Sequence, residues 1–142
     1  MSILGLDLGK RRIGVAIADS SPLGVRPLTT LFRTSLSHDL EGLRAIVVER
    51  QVSRIVLGLP LNMNGSEGPA ARHTRAFAGW VAQALAVPVD LYDERLTSFE
   101  AESRLKESSL KRDSRKLMVD QVAAALILEG WLAEHEADRE EA

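Results

Sequence analysis

The sequence predicts an α/β fold: a mixed sheet flanked by helices. Two features carry that prediction. Residues 2–33 hold three short apolar strands joined by brief polar links, as in an antiparallel meander. From residue 37 the apolar period becomes helical, and helices then alternate with two more strands, as in βαβ units with parallel strands. No repeat, linker or low-complexity stretch breaks the 142 residues. A chain of that length builds one domain with a real core.

Residues 3–8 read as the first strand, with Leu4, Leu6 and Leu8 on one face and Ile3, Gly5 and Asp7 on the other. Gly9-Lys10-Arg11-Arg12 is a turn, and residues 13–18 return as a second strand. Residues 28–33 give a third. Leu40, Leu43, Ile46, Val47 and Val48 have helical spacing over 37–51. A strand follows at 54–59, then a loop rich in turn formers over 60–68. Pro69 suits the first position of a helix that runs to about residue 86. Residues 89–92 form a short strand. Thr97 and Glu100 have the spacing of a capping box, opening a helix to about residue 107. Asp113 or Ser114 caps a last helix that ends near Glu134. These boundaries place a domain at 1–135 and an acidic, disordered tail at 136–142.

Composition excludes several chemistries. Cysteine is absent, which removes disulfides, thiol nucleophiles and Cys-based zinc sites. His38, His73 and His135 lack ligand spacing, so zinc is not expected. No basic leader precedes the first strand, and no apolar run reaches membrane-spanning length, so a cytoplasmic protein without membrane contact is expected. Aromatic residues make up only 4% of the chain and fall mostly at core-like positions, so no stacking platform for bases is expected, Phe32 included. The formal charge of −2 hides an asymmetry. The last nine residues carry five acids and one base, leaving 17 bases against 15 acids before them. Bases cluster at Lys10-Arg11-Arg12 and at Lys106, Lys111, Arg112, Arg115 and Lys116, where phosphate could be met.

Three acids stand where carboxylates are costly. Asp7 interrupts an apolar strand, although aspartate is depleted from strands. Asp120 shares a helix face with Leu117, Ala123, Ala124 and Ile127, a face that continues to Trp131 and points at the core. Glu94 follows a strand at the end where sites are commonly built, with Asp93 beside it as an alternative on spacing alone. Three acids on three elements could share one divalent metal ion. The loop Asn62-Met-Asn-Gly-Ser-Glu-Gly68 opens a helix whose free amides would face an anion, with Asn62, Asn64, Ser66 and Arg72 as phosphate contacts. Gly9 and Gly14 have P-loop spacing, but the following Lys-Ser/Thr is missing and a strand follows, so that reading fails.

Four segments taken together, LGLDLGKRRIGVA at 4–16, GLPLNMNGSEGP at 58–69, DERLT at 93–97 and DQVAAALIL at 120–128, resemble the YqgF/RuvX family of the ribonuclease-H-like superfamily. They occur in family order across nearly the whole chain. The resemblance implies a three-layer α/β/α fold around a mixed five-stranded sheet, three strands antiparallel and the rest in parallel βαβ units. It implies that Asp7, Glu94 and Asp120 are the catalytic and metal-binding acids, holding Mg²⁺ or Mn²⁺. It implies a nuclease that matures the 5′ end of the 16S ribosomal RNA precursor, with Holliday-junction resolution on branched DNA as the alternative. Lys10, Arg11, Arg12, Asn62, Asn64, Ser66 and Arg72 would then hold the nucleic-acid backbone, which positions without reading sequence. The resolvase pattern carries two acids three apart on the last helix, whereas Ala123 occupies that offset from Asp120 here. Both a monomer and a homodimer fit. A non-catalytic rRNA-binding module and an actin-like phosphotransferase are the rivals from other classes. The acids argue against the first, and a length for only one lobe argues against the second.

Overall fold

The structure, a computed structural model, describes residues 2–22, 24–95, 100, 101, 103, 104 and 112–141, and in the last segment the side chains of 118–135. The elements run β1 (Ser2–Leu8), β2 (Arg12–Ala18), β3 (Arg26–Phe32), α1 (Leu36–Glu49), β4 (Val52–Leu59), α2 (Pro69–Leu85), β5 (Val89–Asp93) and α3 (Arg112–Glu141). They form one five-stranded sheet in the order β3-β2-β1-β4-β5. β1 pairs antiparallel with β2 and β2 with β3, whereas β4 is parallel to both β1 and β5. The meander and the βαβ units therefore meet at β1, which is central.

The strand alternation read from the sequence sorts two unequal faces. Leu4 and Leu6 of β1, Ile13, Val15 and Ile17 of β2, and Ile55 and Leu57 of β4 are fully buried, with Leu43 of α1 and Phe77 and Val81 of α2 packed over them. The opposite face is built from smaller residues. There Ala16 meets Ala124 and Ala125, and Val56 meets Ile127, Leu128 and Trp131 of α3. Small side chains let a helix backbone approach a sheet closely. At Gly14 the approach is so close that any Cβ would overlap the carbonyl of Asp120.

Polar contacts fix the height of α3. Gln121 donates to the Thr30 hydroxyl at 2.9 Å, tying the helix to β3. Trp131 donates its indole N–H to Asp90 at 3.0 Å, and Arg54 holds the other oxygen of Asp90 at 3.0 Å. Asp120 is thereby carried over β2.

A second network supports the turn after β1. Asp39 is 4% exposed, and Arg33 reaches it at 3.0 Å while donating to the Gly9 carbonyl at 2.7 Å. The Arg33 guanidinium also lies 5.5 Å from the centre of the Phe77 ring. Neither residue stands out in the sequence, because an Arg and an Asp near a helix start look like surface charges.

Several boundaries differ from those expected. β3 starts at Arg26, where it pairs with Ile17, and β4 at Val52, where it pairs with Ser2. α3 runs to Glu141, so the acidic segment expected as a disordered tail is helical through that residue; Ala, Glu and Arg are strong helix formers. Glu100, Ala101, Ser103 and Arg104 are helical, and the rest of the helix expected over 97–107 lies outside the described residues, as do Lys106 and Lys111.

Removing one partner of a buried ion pair leaves an uncompensated charge. Asp39→Ala should therefore cost about 3 kcal/mol or more of unfolding free energy in a denaturant titration. A loss well under about 1 kcal/mol would show that Arg33 and Asp39 do not carry the turn.

Candidate active site

The site lies at the carboxyl ends of the central strands, on the face covered by α3. Asp7 is near the end of β1 and pairs across β2 with Gly14. Glu94 follows β5 directly, its backbone N–H held by the Leu59 carbonyl at 3.2 Å. Its side chain turns back over the sheet. The room comes from Gly58 of β4, where a Cβ would stand 2.6 Å from Glu94 Oε2. Glycines thus flank Asp7 on both neighbouring strands: Gly14 admits the backbone of α3 and Gly58 admits Glu94. Neither role was legible in the sequence, where both read as strand glycines within apolar runs.

Asp7 and Glu94 are hydrogen-bonded to each other through their carboxyl groups. Two carboxylates in contact must share a proton or a cation. Burial pushes Glu94 up to about 9, and the adjacent Asp7 charge and hydrogen bond push the same way. Burial also raises Asp7, to about 6, although the hydrogen bond from Glu94 pulls it back and the charge of Asp120 adds to the rise. The pair titrates as a unit that keeps one proton at neutral pH, held chiefly on Glu94. Asp93 differs: Arg95 binds it at 2.9 Å and holds its carboxyl below the usual range. Of the two candidates that spacing left open, Glu94 is the one in contact with Asp7.

Asp120 stands apart from that pair. Arg12 Nε lies 2.9 Å from Asp120 Oδ2, but its N–H is not aligned with the contact, so this buried oxygen receives no hydrogen bond. Asp120 acts on Asp7 by charge across the gap. Among the described residues no three His, Cys, Asp or Glu side chains are close enough together to enclose a metal ion. The structure thus brings two of the predicted acids into contact and leaves the third nearby on an arginine. The donor set still fits a hard divalent ion. All the donors are carboxylate oxygens, one buried oxygen receives no hydrogen bond, and a cation would relieve the two carboxyl groups in contact.

The expected phosphate contacts divide. Lys10 and Arg11 are exposed and make no ion pair among the described residues. Arg12, expected as their equal, is engaged with Asp120. In the 62–68 loop Asn62 donates to the Ser66 hydroxyl at 3.0 Å and that hydroxyl donates to Asn64 at 2.6 Å. These side chains shape the loop. Arg95 ties it to the Glu94 segment by donating to the Met63 carbonyl at 3.1 Å. Arg72 is exposed on the first turn of α2, whose N-cap Gly68 offers no side-chain cap.

A profile of the RuvX family, described as Holliday junction resolvase, matches residues 1–134. The chain belongs to the RuvX family. A relative from Myxococcus xanthus (strain DK1622), named "Putative pre-16S rRNA nuclease", is 49% identical over 135 residues, covering 95% of this chain and 89% of its own. One from Acaryochloris marina (strain MBIC 11017), with the same name, is 52% identical over 132 residues, covering 93% of this chain and 92% of its own. Among solved structures, Thermus thermophilus RuvC in complex with a Holliday junction substrate matches with a TM-score of 0.63 at 14% identity, covering 96% of this chain and 97% of that one. Fowlpox virus resolvase bound to Holliday junction DNA matches with 0.56 at 10% identity, covering 96% and 99%. These likenesses show the ribonuclease-H-like fold expected from the sequence. No helix among the described residues is long and apolar enough to cross a membrane.

The carboxyl pair makes stability depend on pH. Raised folded values mean the native state binds more protons than the unfolded chain between about pH 4 and 9. The contribution is full below the unfolded values near 4 and is lost as pH rises through the folded ones. In metal-free buffer, unfolding free energy should fall between pH 5 and 9 by on the order of 6 kcal/mol. Glu94→Gln should flatten that fall, and an equally steep fall in the variant would show that the shared proton lies elsewhere.

Proposed function

We propose that this protein is a metal-dependent nuclease that hydrolyses phosphodiester bonds in the precursor of 16S ribosomal RNA, maturing its 5′ end. The observation that carries the reading is the Asp7–Glu94 carboxyl pair on the central strands with the orphaned Asp120 oxygen beside it. Family membership and the names of its relatives support the substrate. Asp7, Glu94 and Asp120 would hold Mg²⁺ or Mn²⁺, which when bound supplies an activated water and charge stabilisation for the leaving oxygen.

The chain's own groups do the rest. Lys10 and Arg11, which line a groove with Asp120, would bind phosphate, and such contacts set position without reading sequence. Arg12 neutralises Asp120 while no cation is present, which prevents three acids from repelling one another and the substrate. Glu94 holds a proton on its carboxyl against Asp7, and the site must release it before both oxygens can ligate. Arg72 and the amides at the start of α2 extend the basic surface along the 62–68 loop.

Resolution of four-way DNA junctions is the second reading, favoured by the description of the family. One feature counts against it. Ala123, at the offset where the resolvase pattern carries a further acid, is fully buried in an apolar cluster with Ala101 and Leu126. A carboxylate there would enter a packed interface.

Asp7→Asn keeps the shape and removes the charge. It should abolish cleavage of a precursor rRNA fragment in Mg²⁺ or Mn²⁺, by about a thousandfold or more, while the far-ultraviolet circular dichroism is unchanged. Full activity in that variant would overturn the assignment of the site. Replacing Lys10 and Arg11 with Gln should flatten the dependence of log affinity on log salt by about 0.7–0.9 for each phosphate that is no longer neutralised. An unchanged slope would remove them from the interface.

A further inference from the structure

Phe32 departs from the sequence expectation in a way that the proposed function does not use. It ends β3 and is 61% exposed, although aromatics are scarce in this chain and the neighbouring Leu28 and Leu31 pack against the core. It pairs across the ladder with Arg12, and the residue after it binds the Arg11 carbonyl at 2.8 Å. The ring therefore shares a sheet face with Arg12, which reaches Asp120 at 2.9 Å. It lines a groove of about 450 Å³ with Lys10, Arg11, Arg12 and Asp120. The lining is thus aromatic and cationic and includes one of the candidate metal ligands.

We propose that Phe32 is a stacking platform for one unpaired base, and that the site takes single-stranded nucleic acid at the bond to be cut. This rests on the nuclease reading and names the form of its substrate. Every base offers a π face, so an aromatic ring recognises bases irrespective of sequence, with guanidinium planes alongside adding cation–π attraction. In a duplex those faces are already stacked on neighbouring pairs and cannot reach a ring at the end of a strand. Lys10 and Arg11 on the same groove would hold the phosphates that flank the seated base. The ring is 61% exposed and is not among the residues packed in or against the main core, so its removal leaves that core intact.

The test is anisotropy of a labelled single-stranded oligoribonucleotide and of a blunt duplex of the same sequence, measured with the full chain in a chelator so that nothing is cut. Phe32→Ala should weaken single-strand binding about tenfold or more, in line with the cost of losing one stacked base, and change duplex binding less than twofold. Phe32→Trp should restore the loss, and Phe32→Leu, which keeps an apolar strand residue without a π face, should not. Equal losses on both ligands, no loss on either, restoration by Leu, or absence of wild-type binding to the single strand would each overturn the proposal. Cleavage by the wild-type chain in Mg²⁺ is scored separately, so a failure of the nuclease reading is seen independently of the binding result.

Discussion

Two carboxyl groups pressed together in a half-buried site are the constraint on which the rest of this structure depends. Without a cation, contact between Asp7 and Glu94 requires a shared proton. The fold accepts that cost at the carboxyl ends of its central strands, where β1 meets the parallel and antiparallel halves of the sheet. The same arrangement with a divalent ion in place of the proton would relieve both groups. The site therefore has a strong charge preference before any ligand arrives.

Backbone geometry creates that contact. Asp7 has Gly14 as its partner on β2, and the next strand over contributes Gly58. One glycine brings the α3 backbone down to the sheet, and with it Asp120. The other lets the Glu94 side chain lie across β4. Large aliphatic side chains are concentrated on the opposite face, under α1 and α2. The sheet is thus packed by large aliphatic side chains on one side and by small ones around the carboxyl pair on the other. Arg33 and Asp39 link the sides, since their buried pair ends on the Gly9 carbonyl and braces the turn that presents Lys10 and Arg11.

Much of this was legible in the sequence, for physical reasons that also explain what was not. Asp7 stood out because it interrupts an apolar strand, and Asp120 because a period of 3.6 places it on an apolar helix face. The mixed sheet followed from short links giving way to helical crossovers. Glu94 was not separable from Asp93 by spacing, because the choice depends on Arg95 capturing one acid and Gly58 admitting the other, both tertiary facts. The pairing of Arg12 with Asp120 joins opposite ends of the chain and left no local trace. Phe32 read as core because apolar residues at strand ends usually are; only the position of β3 at the sheet edge, beside the basic turn, puts it in water.

The most direct test is the number of protons released when Mn²⁺ or Mg²⁺ is added near pH 7.5, obtained calorimetrically from titrations in buffers of different ionisation enthalpy. If the Asp7–Glu94 pair holds a proton in the place of a cation, close to one proton should leave for each protein molecule that binds metal, and none in Glu94→Gln. Metal binding without proton release in the wild-type chain, or the same release in the variant, would contradict the account.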